Sequence, residues 1–238
     1  MTSDNLILST GEEIPITITV RSDARNIILR PQTMPTRALA ITVPRWTSAA
    51  RVREFIEEKR RWLNRIYAAA PVKTPVRDGD VIVVFGREVL IRHDPAGRYG
   101  VKYTAGTGDD KSRTMHVCGG AEFLERRLRD EIKAQFLKQV KKEIAKTPAA
   151  FHPKNIAVRD TSSRWGSCSS SGTISFSWRL AFAPPEVMRY VIMHELAHKK
   201  HMDHSPKFWR QVSELYGPGV ERAKLWLSNH GQELHKYF

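Results

Sequence analysis

The sequence predicts an α+β protein, with strands crowded into its front half and helices into its back half. Three observations lead there. Short runs rich in β-branched residues, each bounded by turn-forming clusters, recur between positions 14 and 43 and again between 81 and 118. Apolar residues return at every fourth position from Leu124 to Ile144, the mark of one buried helix face. Finally, Pro184-Pro185 opens an apolar stretch of helical length that ends among histidines.

In chain order, 14–20, 26–30 and 38–43 read as strands. Thr47 or Ser48 can cap a helix over 48–69, whose apolar positions are Val52, Phe55, Ile56, Leu63 and Ile66. Residues 81–93 read as two strands turning at Gly86, and 99–103 can pair with 113–118 around the polar loop AGTGDD. A long helix is predicted from Ala121 to Lys146, ended by Pro148. A short strand at 156–160 follows. In 173–178, Ile174, Phe176 and Trp178 alternate with Thr173, Ser175 and Ser177, the pattern of a half-buried strand. Between these two strands, Gly166 and the serines of Ser163–Ser169 suggest a tight turn. Phe208, Trp209, Val212, Leu215, Trp226 and Leu227 fit two short amphipathic helices contributing to the core. The expected division is a β-rich N-terminal region, 1–118, and a second domain, 119–238.

Composition narrows the function. The chain has 238 residues, a formal charge of +14, nine His and two Cys. Cys118 and Cys168 are too few for a disulfide framework or a four-cysteine metal site. The N-terminal residues have neither a basic segment nor an apolar run of a secretory signal, and no run reaches the 18 or so apolar residues of a membrane span. A cytoplasmic protein with no membrane partner is expected.

Chemistry concentrates at His194-Glu195-Leu196-Ala197-His198. Positions i and i+4 share a helix face, so both imidazoles can reach one metal. Glu195 can then stand beside the open position and take a proton from water. A catalytic zinc takes three protein ligands. For the third, His201, His204, Glu214 and Glu221 are all within range. His204 is favoured, because Ser205-Pro206 looks like the start of a new helix and a chain break before it lets His204 swing back. Glu214 is the next choice. Cys168 as a fourth ligand would close the site, and as an alternative to a structural turn at 163–169, Arg164, Trp165 and Cys168 could contact substrate near the metal. His230 and His235 lie far along the chain, as surface or tail residues.

The segments SRWGSCS (163–169), ISFSWRL (174–180) and YVIMHELAHKKHMDHSPKFW (190–209), with the aromatic tail, closely resemble the YgjP-like metal-dependent hydrolases. More distantly, Gly166-Ser167-Cys168, Ile174, Arg179-Leu180 and the His-Glu-x-x-His helix are similar to the SprT and Spartan metalloproteases. The resemblance implies a zincin-like metallopeptidase fold, with an active-site helix beside a small mixed sheet. It implies one zinc ion on His194, His198 and His204, with Glu195 as catalytic base. The expected activity is peptide-bond hydrolysis on a peptide or protein substrate, and a metal-dependent nucleotide or phosphate-ester hydrolase is the alternative. The strand 173–178 could offer its edge to an extended peptide.

The front half is basic. Residues 1–160 hold 29 of the 39 Lys and Arg, many on the predicted helices 48–69 and 121–146, with Trp62 among them. This is the footprint expected of a nucleic-acid partner, although Glu54, Glu57, Glu58, Glu125 and Glu131 are mixed in as on any solvated helix.

Overall fold

The computed structural model describes residues 5–33, 37–69, 73–98, 100–105, 113–161 and 164–238. It is a mixed α and β protein that divides into two compact units, Met1–Val72 and Lys73–Phe238. The division falls earlier than Cys118. The strands between 81 and 118 belong to the second unit, because their apolar faces share a core with the long helix that follows.

The first unit is a four-stranded sheet, β1 (Asn5–Ile7), β2 (Glu13–Arg21), β3 (Ile28–Gln32) and β4 (Ala38–Pro44), in the order β1-β2-β4-β3. β2 and β4 run parallel, and the other pairs are antiparallel. Two helices follow, α1 (Ala49–Glu58) and α2 (Arg60–Ala69). The Ser48 side chain caps α1 by accepting from the Arg51 amide at 3.2 Å. The single helix expected over 48–69 is thus two, broken at Lys59. Val52, Ile56, Leu63 and Tyr67 join Leu6, Ile14, Leu39 and Ile41 in the unit's core.

Among the described residues the second unit holds two sheets and four α-helices. One sheet is β5 (Val81–Val84), β6 (Arg87–Asp94), β7 (Gly100–Ala105) and β8 (Arg113–Cys118), in the order β5-β6-β8-β7. The β5–β6 turn places both Phe85 and Gly86 at positive φ, 52° and 70°, as a tight two-residue hairpin requires. Most of the expected loop 105–110 lies outside the described residues. α3 (Leu124–Ala145) buries the whole four-residue stripe: Leu124, Leu128, Ile132, Phe136, Val140 and Ile144. It packs on β7 and β8 and on the next helix, α4 (Pro185–Ala197).

The other sheet is β9 (Asn155–Arg159), β10 (Gly166–Cys168) and β11 (Thr173–Ser177), in the order β10-β11-β9. Two expectations change here. Residues 166–168 form an edge strand rather than a turn, and the turn comes after them, where the Gly172 amide donates to the Ser169 carbonyl. β11 is the inner strand, antiparallel to β10 and parallel to β9. Both its edges are hydrogen-bonded, so it has none to offer a peptide. The free edge beside α4 is that of β10.

α4 (Pro185–Ala197) is apolar on nearly every side, and Val187, Tyr190, Val191, Ile192, Met193, Leu196 and Ala197 are all buried. A helix of that composition belongs inside a fold, and it is flanked by α3, β10, β11, α5 (Pro206–Tyr216) and α6 (Val220–His230). Pro185 and Pro206 sit at the first turns of α4 and α5, as expected. Among the described residues no helix is long and apolar enough to cross a membrane.

Candidate metal centre

The last turns of α4 carry His194, Glu195 and His198, and the loop to α5 carries His204. One ring nitrogen from each of His194, His198 and His204 lies within 4.8 Å of the others. Two helix positions four apart supply the first pair, and the chain reversal before Ser205 brings the third. Glu214, the alternative ligand, instead hydrogen-bonds Gln211 at 2.9 Å, and Glu221 is paired with Lys224. Neither belongs to the cluster, and neither does Cys168.

Several features prepare these rings to hold a cation. Burial first, and then the neighbouring His198 and His204, push the His194 imidazole down to about 4. Burial also lowers His198. Neutral imidazole is the form that ligates. His198 Nδ1 donates to the His201 carbonyl at 2.9 Å, which leaves the Nε2 lone pair free and the ring oriented. His201 therefore contributes its backbone rather than its ring. The Nε2 atoms of His194 and His204 face each other at 3.3 Å. Two nitrogens on one tetrahedral zinc, at about 2.05 Å each, lie ~3.3 Å apart. His194 Nδ1 is buried and has no hydrogen-bond partner among the described residues. Aromatic packing holds this ring instead, with Phe208 at 4.9 Å, Trp209 at 5.7 Å and Tyr190 at 5.9 Å. Phe208 is also within 4.8 Å of the His198 and His204 rings, so this core residue is the floor of the cluster. An all-imidazole donor set of this spacing fits a borderline divalent metal such as zinc.

Glu195 projects from α4 toward β10 and is 6% exposed. Burial pushes its carboxyl up to about 7, and the Arg164 charge pulls the other way. The carboxylate lies against the Gly166 backbone. A Cβ at Gly166 would stand 2.5 Å from Glu195 Cγ and Oε1, well inside contact distance. The sequence hid this approach: the side chain that Gly166 lacks is the space the Glu195 carboxylate occupies.

Around this, Trp165 packs on His235 at 5.3 Å. His235 is not a surface residue but is 4% exposed, in the core behind the Arg164–Gly166 segment. His230 remains at the surface beside Glu233. Cys168 is half-buried, and burial and then the Glu195 charge push its thiol up. Ser163 lies outside the described residues.

Nothing among curated proteins matches the chain. Among solved structures, the metallopeptidase zymogen abylysin of Pyrococcus abyssi is similar, with 24% identity and a TM-score of 0.32 over 44% of this chain and 97% of that one. The metallopeptidase zymogen jannalysin of Methanocaldococcus jannaschii gives 17% and 0.31 over 40% and 93%. The family model for the YgjP-like metallopeptidase domain matches residues 25–230, which is most of the chain and includes the histidine cluster. The chain therefore belongs to the YgjP-like metallopeptidase family, and it is a metal-dependent hydrolase.

Proposed function

We propose that this chain is a zinc metallopeptidase of zincin-like build, with His194, His198 and His204 as the ligands of one ion and Glu195 as the general base. The observation that carries the reading is the convergence of three imidazole nitrogens within 4.8 Å beside a carboxyl buried next to them on the same helix. A bound zinc supplies Lewis acidity toward a peptide carbonyl and acidifies water. Glu195 takes a proton from the attacking water and delivers it to the departing amide nitrogen. Its position against Gly166 limits the directions in which that carboxylate can move. The His201 carbonyl keeps the His198 ring in one tautomer. The free edge of β10 offers backbone groups with which an extended peptide can pair as an added strand.

The test is metal analysis of the purified protein, with turnover measured on unfolded protein and, in parallel, on nucleoside triphosphates. We expect about one zinc per chain and proteolysis abolished by a chelator. Glu195→Gln should keep its metal and lose turnover by ~100-fold or more. Full turnover in that variant rules out the base assignment, and triphosphate hydrolysis without proteolysis rules out the peptidase.

The same proposal includes association with nucleic acid through the basic front half, and a cytoplasmic setting in which Cys118 and Cys168 stay unpaired. Part of that basic charge is already paired locally, Arg51 with Glu54 and Glu58 and Arg60 with Glu57.

A further inference from the structure

The three-stranded sheet has two faces of opposite character. Ile174 and Phe176 point into the core, and the position that Gly166 leaves vacant points to Glu195. Side chains of opposite parity occupy the other face. Ser167 is paired with Ser175, and Ser177 with Arg159, and cross-strand partners share a face. Around them lies a cleft of about 240 Å³, lined by Arg159, Thr161, Arg164, Ser167, Ser175 and Ser177.

The chemistry of this cleft is one-sided. It has two guanidinium groups and four hydroxyls but no carboxylate on its lining. Among the described residues neither arginine forms an ion pair, and the nearby Asp160 is engaged by Arg179 at 2.9 Å. The rim is tied in place: the Thr161 hydroxyl donates to the Arg164 carbonyl at 2.7 Å, and the Ser177 amide donates to the Trp165 carbonyl at 2.8 Å. Two exposed guanidinium groups on a hydroxyl-lined cleft whose own lining holds no carboxylate make a receptor for an anion, and the Arg164 charge also reaches the buried Glu195. Guanidinium groups take planar carboxylates in a two-point grip.

The location indicates which anion. Of the two edge strands, β10 is the one that packs against α4. A peptide laid along it alternates its side chains between the two faces. One parity faces the metal cluster and Glu195. The other parity lies on the face of Ser167 and Ser175, with the cleft lined by the two arginines beside them.

We propose that this cleft is a specificity subsite for the carboxylate of an Asp or Glu side chain in the substrate, with Arg159 and Arg164 as the residues that select it. The inference rests on the peptidase reading and adds a substrate class to it: extended segments with an acidic residue at one fixed register from the cleaved bond.

The test uses N-acetylated, C-amidated octapeptides of Ala and Tyr in which a single Glu, Gln or Lys is walked through the positions. Cleavage by the metal-loaded full chain is followed by mass spectrometry, and binding to the full-length Glu195→Gln variant by calorimetry. At one register, Glu should exceed Gln by about 10- to 100-fold in both readouts, the range for a charge-assisted contact. Arg159→Glu should reverse the preference toward Lys, which a merely structural role would not do, and Arg164→Gln should shrink the Glu-to-Gln ratio. Equal handling of Glu and Gln peptides, or a Glu preference that survives Arg159→Glu, overturns the subsite while leaving the peptidase standing. Glu-dependent binding without any cleavage supports the subsite and overturns the peptidase. No binding and no cleavage of any peptide overturns both. Tight binding of the oligonucleotide dT8 that Arg159→Glu abolishes, with Glu and Gln peptides bound alike, assigns the cleft to phosphate and overturns the proposal.

Discussion

Gly166 and Glu195 meet so closely that no side chain fits at 166 without displacing the carboxylate. Gly166→Ala adds one methyl group where the carboxylate now lies, and something must shift by several tenths of an ångström. Overpacking of this kind costs about 1–3 kcal/mol. The expected outcome is a fall in kcat of at least ~10-fold from misplacement of the base, with zinc content unchanged. Normal kcat in Gly166→Ala would show that the contact does not position Glu195. His235 gives a pH signature. Burial, followed by the Arg179 charge, holds its imidazole down to about 4, so it costs no stability above pH 6.5. The unfolded chain takes up a proton first as pH falls from 6.5 toward 4, and native stability drops over that window. The drop from this one group is on the order of 2–3 kcal/mol by pH 4.5. Urea melts at pH 7.5 and 4.5 should show a smaller acid loss for His235→Phe than for the parent chain. The convergence of His194, His198 and His204 was legible because i and i+4 share a helix face and a chain break ahead of Ser205 lets the third ring return. Gly166 and His235 were not, since a close approach and a burial are relations between distant segments.

α3 was the most legible element, because a stripe with one residue per turn over 22 residues has few other readings. The three-residue β10 was not legible. It has no period to detect and is rich in turn formers, and its conformation comes from pairing with β11. The break at Lys59 has no Gly or Pro to announce it, and nothing in the structure explains it. The segment after β11 shows what joins these elements. Arg179, 4% exposed, binds Asp160 at 2.9 Å, the Tyr237 carbonyl at 2.8 Å and the Phe238 carbonyl at 2.9 Å. One guanidinium thus ties the end of β9 to the aromatic tail. Arg179→Met keeps the bulk but orphans buried acceptors, for a cost of about 2–3 kcal/mol. Chemical denaturation should show that loss. A midpoint equal to the parent's would show that water replaces the guanidinium at no cost.

At the scale of the whole molecule, the charge of +14 and the chemistry are separate properties, one spread mostly through residues 1–160 and the other gathered in 194–204. If the positive charge grips phosphates, duplex affinity should fall steeply with salt, by ~10-fold or more between 50 and 200 mM for several contacts. A filter-binding series that stays flat across that range would dissociate the charge from nucleic acid. Length alone allowed one to two domains, and the division expected after Cys118 falls after Val72 instead. That depends on which core the apolar faces of β5, β6 and β8 join, and strand patterning alone does not reveal it.

The order of elements along the chain has a consequence during synthesis. The sheet of the first unit is complete once β4 ends at Pro44, and its core closes with Tyr67 on α2. The second unit closes its core only with residues of α5, α6 and the tail, and His204 lies just ahead of α5. Folding on the ribosome proceeds from the N-terminal side, so the first unit can be finished while the histidine cluster does not yet exist. A nascent copy from which α5 and α6 have not yet emerged therefore lacks the assembled histidine cluster.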